Sequence, residues 1–292
     1  MLNAAQSLPP PTQYQKPRFA MPRGACDTHT HVIPESGWTL IPEATYTPAP
    51  APAAFHLRML DALGLDRGVV VQPSIFGTDN TAVVGALALA PERLRGVAVV
   101  DPSISDANLL TLHDQGIRGV RFNVMLGGGG GLKAMTELAS RLASLGWPAE
   151  IPVNGNLLPE LRTALAVLPC RLVIDHMASL GADVSLDAPQ MLALRALVAE
   201  RETWVKLSGA YRLADRASDP RLAERGRMLV REAPGHMVWG SDWPHVAFST
   251  MPDAGNLLNV LGEWFDADAQ TLQQILVDNP ARLFDFPAQP PR

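Results

Sequence analysis

Three stretches of the chain carry side chains of chemical use. The first is Cys26-Asp27-Thr28-His29-Thr30-His31-Val32, which reads as a strand with polar interruptions. Side chains alternate along a strand, so Asp27, His29 and His31 are expected on one face and Thr28 and Thr30 on the other. Two imidazoles projecting together can bind a divalent metal or donate hydrogen bonds to a carbonyl oxygen. The second stretch, Leu172-Val173-Ile174-Asp175-His176-Met177, is an apolar strand ending in an acid and an imidazole. Neighbours on a strand face opposite ways, and His176 is read as the inward group with Asp175 on the far side. The third is Val238-Trp239-Gly240-Ser241-Asp242-Trp243-Pro244-His245, where Pro244 must end the ladder and leaves Asp242 at the strand end. His245 lies in the loop beyond and, as a lone loop histidine, is expected in solvent. Imidazoles that polarise a carbonyl, directly or through a metal, beside a carboxylate that takes a proton from water, point to hydrolysis or decarboxylation.

Side chains so far apart in sequence need a scaffold that gathers them. Short apolar, β-branched runs recur at 25–32, 67–74, 95–101, 117–124, 149–154, 171–177, 203–208 and 237–242, with amphipathic stretches between them such as 55–63, 132–145, 157–168, 191–201 and 222–232. Eight strands alternating with helices predict an α/β protein, a (β/α)8 TIM barrel, whose chemistry sits at the C-terminal ends of its strands. An open, doubly wound sheet would show the same alternation, but no Gly-rich dinucleotide turn follows the first strand. The division expected is an N-terminal extended arm, 1–23, and a single barrel domain, 24–292. The proline-rich segment 33–53 is expected to fold over the barrel mouth. The five glycines 127–131 read either as a mobile lid or as a plain linker.

Composition narrows the partners. The 292 residues are 47% hydrophobic and 18% charged, with net charge −5. That balance fits one large buried core and offers no basic face for a phosphate backbone, so nucleic acid is excluded as the main partner and a small molecule is expected. Cys26 and Cys170 make no zinc-ligand spacing and read as buried thiols of a reducing cytoplasm. No apolar run reaches the length of a membrane span, and the oligomeric state is not legible.

The order of these motifs resembles the amidohydrolase superfamily from Gly24 to Asn279-Pro280-Ala281-Arg282-Leu283-Phe284, and within it the lactonase branch that contains 2-pyrone-4,6-dicarboxylate hydrolase. The matching pieces are 24–32, Gly77-Thr78-Asp79-Asn80, 96–102, Arg118-Gly119-Val120-Arg121-Phe122-Asn123, 174–177 and 239–245. The resemblance implies that Asp242 is the base for an attacking water and that His29, His31 and His176 surround the scissile lactone carbonyl. It also implies substrate contacts from Tyr46, Ser74, Arg121 and Arg212, with His245 in the last matching stretch. Two arginine positions of the pyrone pattern are absent: the glycine run replaces basic residues after the fourth strand, and Ser179 replaces an arginine after the sixth. An arginine fork is the usual bidentate partner of a carboxylate, so a substrate with one carboxylate, or a sugar-acid lactone, is expected. Lys133 or the N–H groups of the glycine loop are candidate replacement anion sites. A binuclear metal centre needs a carboxylated lysine or a glutamate from a middle strand, where the sequence offers Asn154 near the strand end. One zinc on His29, His31, His176 and Asp242 remains open. The resemblance favours hydrolysis with no cofactor. A zinc-dependent decarboxylase, a lactone isomerase and a non-catalytic binding barrel are the alternatives.

Overall fold

The computed structural model of the chain describes residues 5–122, 131–248 and 251–287. Eight parallel strands follow one another in sequence order around one sheet: β1 (Cys26–Thr30), β2 (Arg67–Val71), β3 (Leu94–Ala98), β4 (Ile117–Arg121), β5 (Ala149–Ile151), β6 (Leu172–Ile174), β7 (Thr203–Leu207) and β8 (Met237–Trp239). All eight predicted strands are present, each ending short of its predicted limit because the mouth-side residues turn away from the ladder into loops. The last and first strands meet through the segments at their ends. The Asp242 N–H donates to the His29 carbonyl at 2.9 Å, the His31 N–H to the Trp243 carbonyl at 2.8 Å, and the Thr28 hydroxyl to the Trp239 carbonyl at 2.8 Å. The sheet is therefore a nearly closed (β/α)8 barrel and not an open one.

The helices are α1 (Ala53–Leu63), α2 (Thr81–Leu89), α3 (Asp106–Asp114), α4 (Leu132–Ser144), α5 (Leu158–Ala166), α6 (Pro189–Glu200), α7 (Ala210–Leu213), α8 (Pro220–Glu232), α9 (Ala254–Trp264), α10 (Ala269–Gln273) and α11 (Asn279–Phe284). The stretches named from the sequence include none over α2, α3, α7, α9, α10 or α11. The α2 run Thr-Ala-Val-Val-Gly-Ala-Leu-Ala-Leu is apolar on every side and shows no helical stripe, while α3 buries only Leu109. Local chemistry starts α3 and α8: Ser105 accepts the Asn108 N–H, and Asp219 accepts the Arg221 N–H with Pro220 at the first turn.

The barrel interior is layered. At the bottom, Cys26, Val69, Val71, Val97, Val173, Trp204 and Val238 pack together, sealed by Leu283, Phe284 and Phe286 of the C-terminal segment. Above them the interior turns polar, with Glu150 and Lys206 both fully buried. The N-terminal arm runs along the mouth. Ala5–Gln6 pair in parallel with Tyr46–Thr47, the Ser7 hydroxyl accepts the Ala247 N–H, and the Tyr14 hydroxyl accepts the Trp243 indole N–H at 2.9 Å. Farther along, the Arg18 N–H donates to the Asn259 side chain. The proline-rich segment is pinned at both ends by mutual Ile33–Ala51 backbone bonds and carries buried Tyr46 to the mouth. Of the glycine run, 127–130 lie outside the described residues. Lys133 stands on the exposed face of α4, 3.8 Å from Glu137.

Candidate active site

Strict alternation fails in β1, and the failure shapes the site. Cys26 belongs to the interior layer, yet His29, three positions on, also reaches the interior, where its Nδ1 lies 3.0 Å from Lys206 Nζ. An irregularity in the β1–β2 register between Asp27 and Thr30 makes this parity possible. Asp27 consequently does not join the imidazoles as predicted. Its Oδ1 accepts the N–H groups of His29 and Ser241, tying β1 to the end of β8. Gly240 is required there, because a Cβ would stand 2.5 Å from His29 Cβ. Burial raises the Asp27 pKa to about 6.

The expectation that only one of Asp175 and His176 enters the barrel is wrong. Val173 faces the interior, so alternation delivers Asp175 to it, and there Asp175 Oδ1 lies 3.3 Å from His29 Nδ1 and 3.4 Å from Lys206 Nζ. The strand ends at Ile174, and His176 to Ser179 take left-handed backbone angles that turn the His176 ring back to the mouth. The ring lies over Gly209, whose missing Cβ would otherwise stand 3.0 Å from it, and its Nδ1 meets the Ser208 hydroxyl at 2.8 Å. Burial lowers its pKa to about 4.

Asp242, at φ 64, sits at the centre. Its two oxygens are used differently. Oδ2 accepts the Tyr211 hydroxyl and the Arg212 Nε–H, each at 2.7 Å. Oδ1 lies 3.6 Å from His31 Nε2 and 3.7 Å from His29 Nε2. His176 Nε2 is 3.9 Å from Oδ2. Burial by itself would raise the carboxyl pKa, but the Arg212 guanidinium and the surrounding imidazoles outweigh it and hold Asp242 well below the usual carboxylate range. The carboxylate is thus ionised, with one oxygen anchored and the other turned to two ring nitrogens. His31 Nδ1 lies 2.8 Å from the Val71 carbonyl, which can only accept, so Nδ1 carries a proton and donates to it, and Nε2 is the ring atom turned to the mouth.

The remaining predicted residues divide. Tyr46 is buried beside the charges of Arg121, Asp242 and Arg212. Arg121 reaches Asp175 Oδ2 at 3.3 Å, and its buried Nε has no hydrogen-bond partner among the described residues. Arg212 is committed to Asp242 and, through Nη2, to the Val246 carbonyl at 3.1 Å, so much of its fork serves the carboxylate of the protein. His245, expected in solvent, is fully buried with its ring 5.2 Å from that of Tyr211, and burial lowers its pKa to about 4. Ser74 is nearly buried in a short turn after β2. No hydrogen bond joins its hydroxyl to the imidazole cluster among the described residues.

Glu150, Lys206, Tyr211 and Ser208 were not foreseen. Glu150 and Lys206 left a signal: each is the lone charge of an apolar strand, Ala-Glu-Ile and Thr-Trp-Val-Lys-Leu, and a charge in a fully buried strand needs a buried partner. They find each other at 2.6 Å. A middle-strand carboxylate therefore does exist, four residues before the Asn154 considered from sequence, but it is spent on a lysine. Burial and the nearby Asp175 charge push Glu150 up to about 7.

The donor set suits one metal ion by spacing. His29, His31 and Asp242 offer ligand atoms within 4.8 Å of one another, as do His29, Asp175 and His176. Zinc bonds of about 2.0–2.1 Å put tetrahedral ligands roughly 3.4 Å apart, near the 3.6 and 3.7 Å seen around Asp242 Oδ1. The charges are less suited, because Arg212 already neutralises Asp242 and Lys206 lies against His29.

Comparison with known proteins agrees with this geometry. The chain is 37% identical over 283 residues to a 2-pyrone-4,6-dicarboxylate hydrolase of Comamonas testosteroni, covering 92% of each. It is 33% identical over 300 residues to a 4-sulfomuconolactone hydrolase of Rhizobium radiobacter, covering 97% of this chain and 99% of the relative. A probable 2-pyrone-4,6-dicarboxylic acid hydrolase from Acinetobacter baumannii, crystallised with citric acid bound, superposes with a TM-score of 0.80 at 29% identity over 90% of this chain and 100% of that one. The amidohydrolase pattern runs from residue 26 to residue 286, through every strand and every side chain of the site, and the chain belongs to the amidohydrolase family.

Proposed function

We propose that this protein hydrolyses the ester bond of a lactone, with Asp242 as the general base. The observation that carries the reading is the division of labour on Asp242: Oδ2 is held by Tyr211 and Arg212, which leaves Oδ1 ionised and facing two imidazole nitrogens across gaps of 3.6 and 3.7 Å. A water seated there gives one proton to Asp242 Oδ1 as its oxygen adds to the lactone carbonyl. The oxyanion that develops is stabilised by imidazole N–H groups held rigid in a buried site. Collapse of the tetrahedral adduct breaks the ring C–O bond, and the alkoxide or enolate leaving oxygen takes up the proton, which yields an open-chain carboxylic acid. Lactone hydrolases among the relatives support this choice over a binding barrel.

The substrate we favour is a lactone bearing one further acid group. Among the described residues the mouth offers the unpartnered Arg121 Nε and the buried Tyr46, whereas the Arg212 fork is largely spent on Asp242. Should a divalent ion bind, His29, His31 and Asp242 would hold it and it would polarise the carbonyl. The reaction proposed uses the side chains alone. The test is a panel of sugar-acid lactones and pyrone carboxylates assayed for base uptake in 18O-labelled water. Hydrolysis takes up one equivalent of base and places one solvent oxygen in the new carboxylate. Ring interconversion without solvent oxygen would replace hydrolysis by isomerisation, and release of carbon dioxide would replace it by decarboxylation.

A further inference from the structure

The pair Glu150 and Lys206 does no chemistry in the reaction above, yet it occupies the most expensive position in the molecule, a charge layer with no access to water. Its geometry explains why it is there. Lys206 Nζ is 2.6 Å from Glu150 Oε2, 3.4 Å from Asp175 Oδ1 and 3.0 Å from His29 Nδ1. An ammonium has three N–H donors and no acceptor, so the three contacts use all its protons. Two donors cannot face each other at 3.0 Å in a buried site without losing a hydrogen bond. Glu150 Oε2 and Asp175 Oδ1 take two of those N–H groups, the third is directed at His29 Nδ1, and that nitrogen must then accept. Arg121 holds the other oxygen of Asp175 at 3.3 Å.

The geometry points to Lys206 as a positioning residue that fixes the tautomer of His29, keeping the single ring proton on Nε2 and aiming it at the mouth. Asp175 Oδ1, at 3.3 Å from the same Nδ1, is the competing acceptor that would draw the proton the other way. His31 is anchored differently, with Nδ1 donating to the Val71 carbonyl, and the two rings meet edge to face with centroids 5.0 Å apart. The same assignment removes the lone pair that a metal would need at His29 Nε2, an atom that is buried and has no hydrogen-bond partner among the described residues.

The consequence for rate rests on the lactonase reading, but the proton position can be read without any substrate. Full-length protein labelled with 15N at its seven histidines is examined by long-range proton–nitrogen correlation spectra near neutral pH. The His29 ring is assigned by its loss in His29→Gln. The expected spectrum has a protonated Nε2 and a bare Nδ1 on that ring. A proton on Nδ1, or on both nitrogens, would overturn the assignment. The double variant Lys206→Met with Glu150→Leu removes one charge of each sign and leaves Asp175 as the sole neighbour of Nδ1. Its His29 proton should move to Nδ1, and kcat should fall by about 10²-fold, the usual cost of one oxyanion donor, with KM little changed. A proton that stays on Nε2 in the folded double variant would also overturn the proposal. Should the double variant not fold, the spectrum of the unaltered protein decides alone. A moved proton with unchanged hydrolysis upholds the tautomer and overturns instead the part given to His29 in the reaction.

Discussion

Asp242→Asn is the most informative single change. Backbone geometry favours it over alanine: position 242 lies at φ 64, a left-handed conformation that asparagine tolerates better than other non-glycine residues. The amide also has only one productive orientation. Tyr211 and Arg212 are both donors at 2.7 Å from Oδ2, so the amide oxygen must take that place and the NH2 group must replace Oδ1. The variant thus keeps the anchoring bonds and exchanges the proton acceptor for a donor at the one atom that faces His29 and His31. General-base catalysis contributes about 10²–10⁴-fold, or roughly 2.7–5.5 kcal/mol of barrier, and kcat should fall by that factor. Fold is checked by circular dichroism and thermal melting, rate by base uptake on the best lactone. A folded variant that keeps more than about a tenth of the normal kcat would remove Asp242 from proton transfer, because a factor of ten is below the range a general base supplies.

Replacing Arg212 by glutamine removes the cation that does most to counter burial at Asp242. The base works only when ionised, so activity is lost as pH falls through its pKa; the depressed value extends activity into acid, and the variant should lose it at higher pH than the parent in kcat/KM profiles. Phe284→Ala opens the floor of the barrel beneath Lys206, whose Nζ lies 6.0 Å from the ring, and should cost about 3–5 kcal/mol in denaturant unfolding. Because Arg212 and Lys206 already supply the positive charge around the site, prolonged chelation should leave turnover intact; loss of activity that added zinc restores would assign the carbonyl to a metal. His56 is fully buried, has no hydrogen-bond partner for either ring nitrogen among the described residues, and has its pKa lowered to about 3. Its neutral form stabilises the fold above about pH 6.5, the ordinary histidine value, and that contribution is lost as pH falls toward 3, so His56→Met should flatten the acid side of the stability profile measured by melting.

The residues at strand ends were legible because polar side chains interrupting apolar runs are hard to explain otherwise. His29, His31, His176 and Asp242 could be picked out one by one, and the structure brings each of the three imidazoles within 4 Å of the Asp242 carboxylate. Two things hid the rest. One is backbone geometry that breaks alternation: the β1 register irregularity moved Asp27 out of the predicted set, and the left-handed run after Ile174 let Asp175 and His176 both enter. The other is pairing across the barrel. Glu150 on β5 and Lys206 on β7 each look like an error in a buried strand until the two are seen together, and neither is interpretable without the partner. Among the helices missed, α2 is apolar on every side and α3 buries only Leu109, so periodicity carries no signal in either.

The arm that runs along the mouth gives the molecule an unusual dependence on order of assembly. Arg18 docks on Asn259, 241 positions later in the chain, and Gln15 docks on Asp253. The stretch around Gln15 and Arg18 therefore lacks these docks until the part of the chain around 253–259 is in place. Such contacts between distant positions are the slowest to form. The strand that carries Tyr46 pairs with Ala5–Gln6, so the rim beside Tyr46 is complete only when the arm is docked.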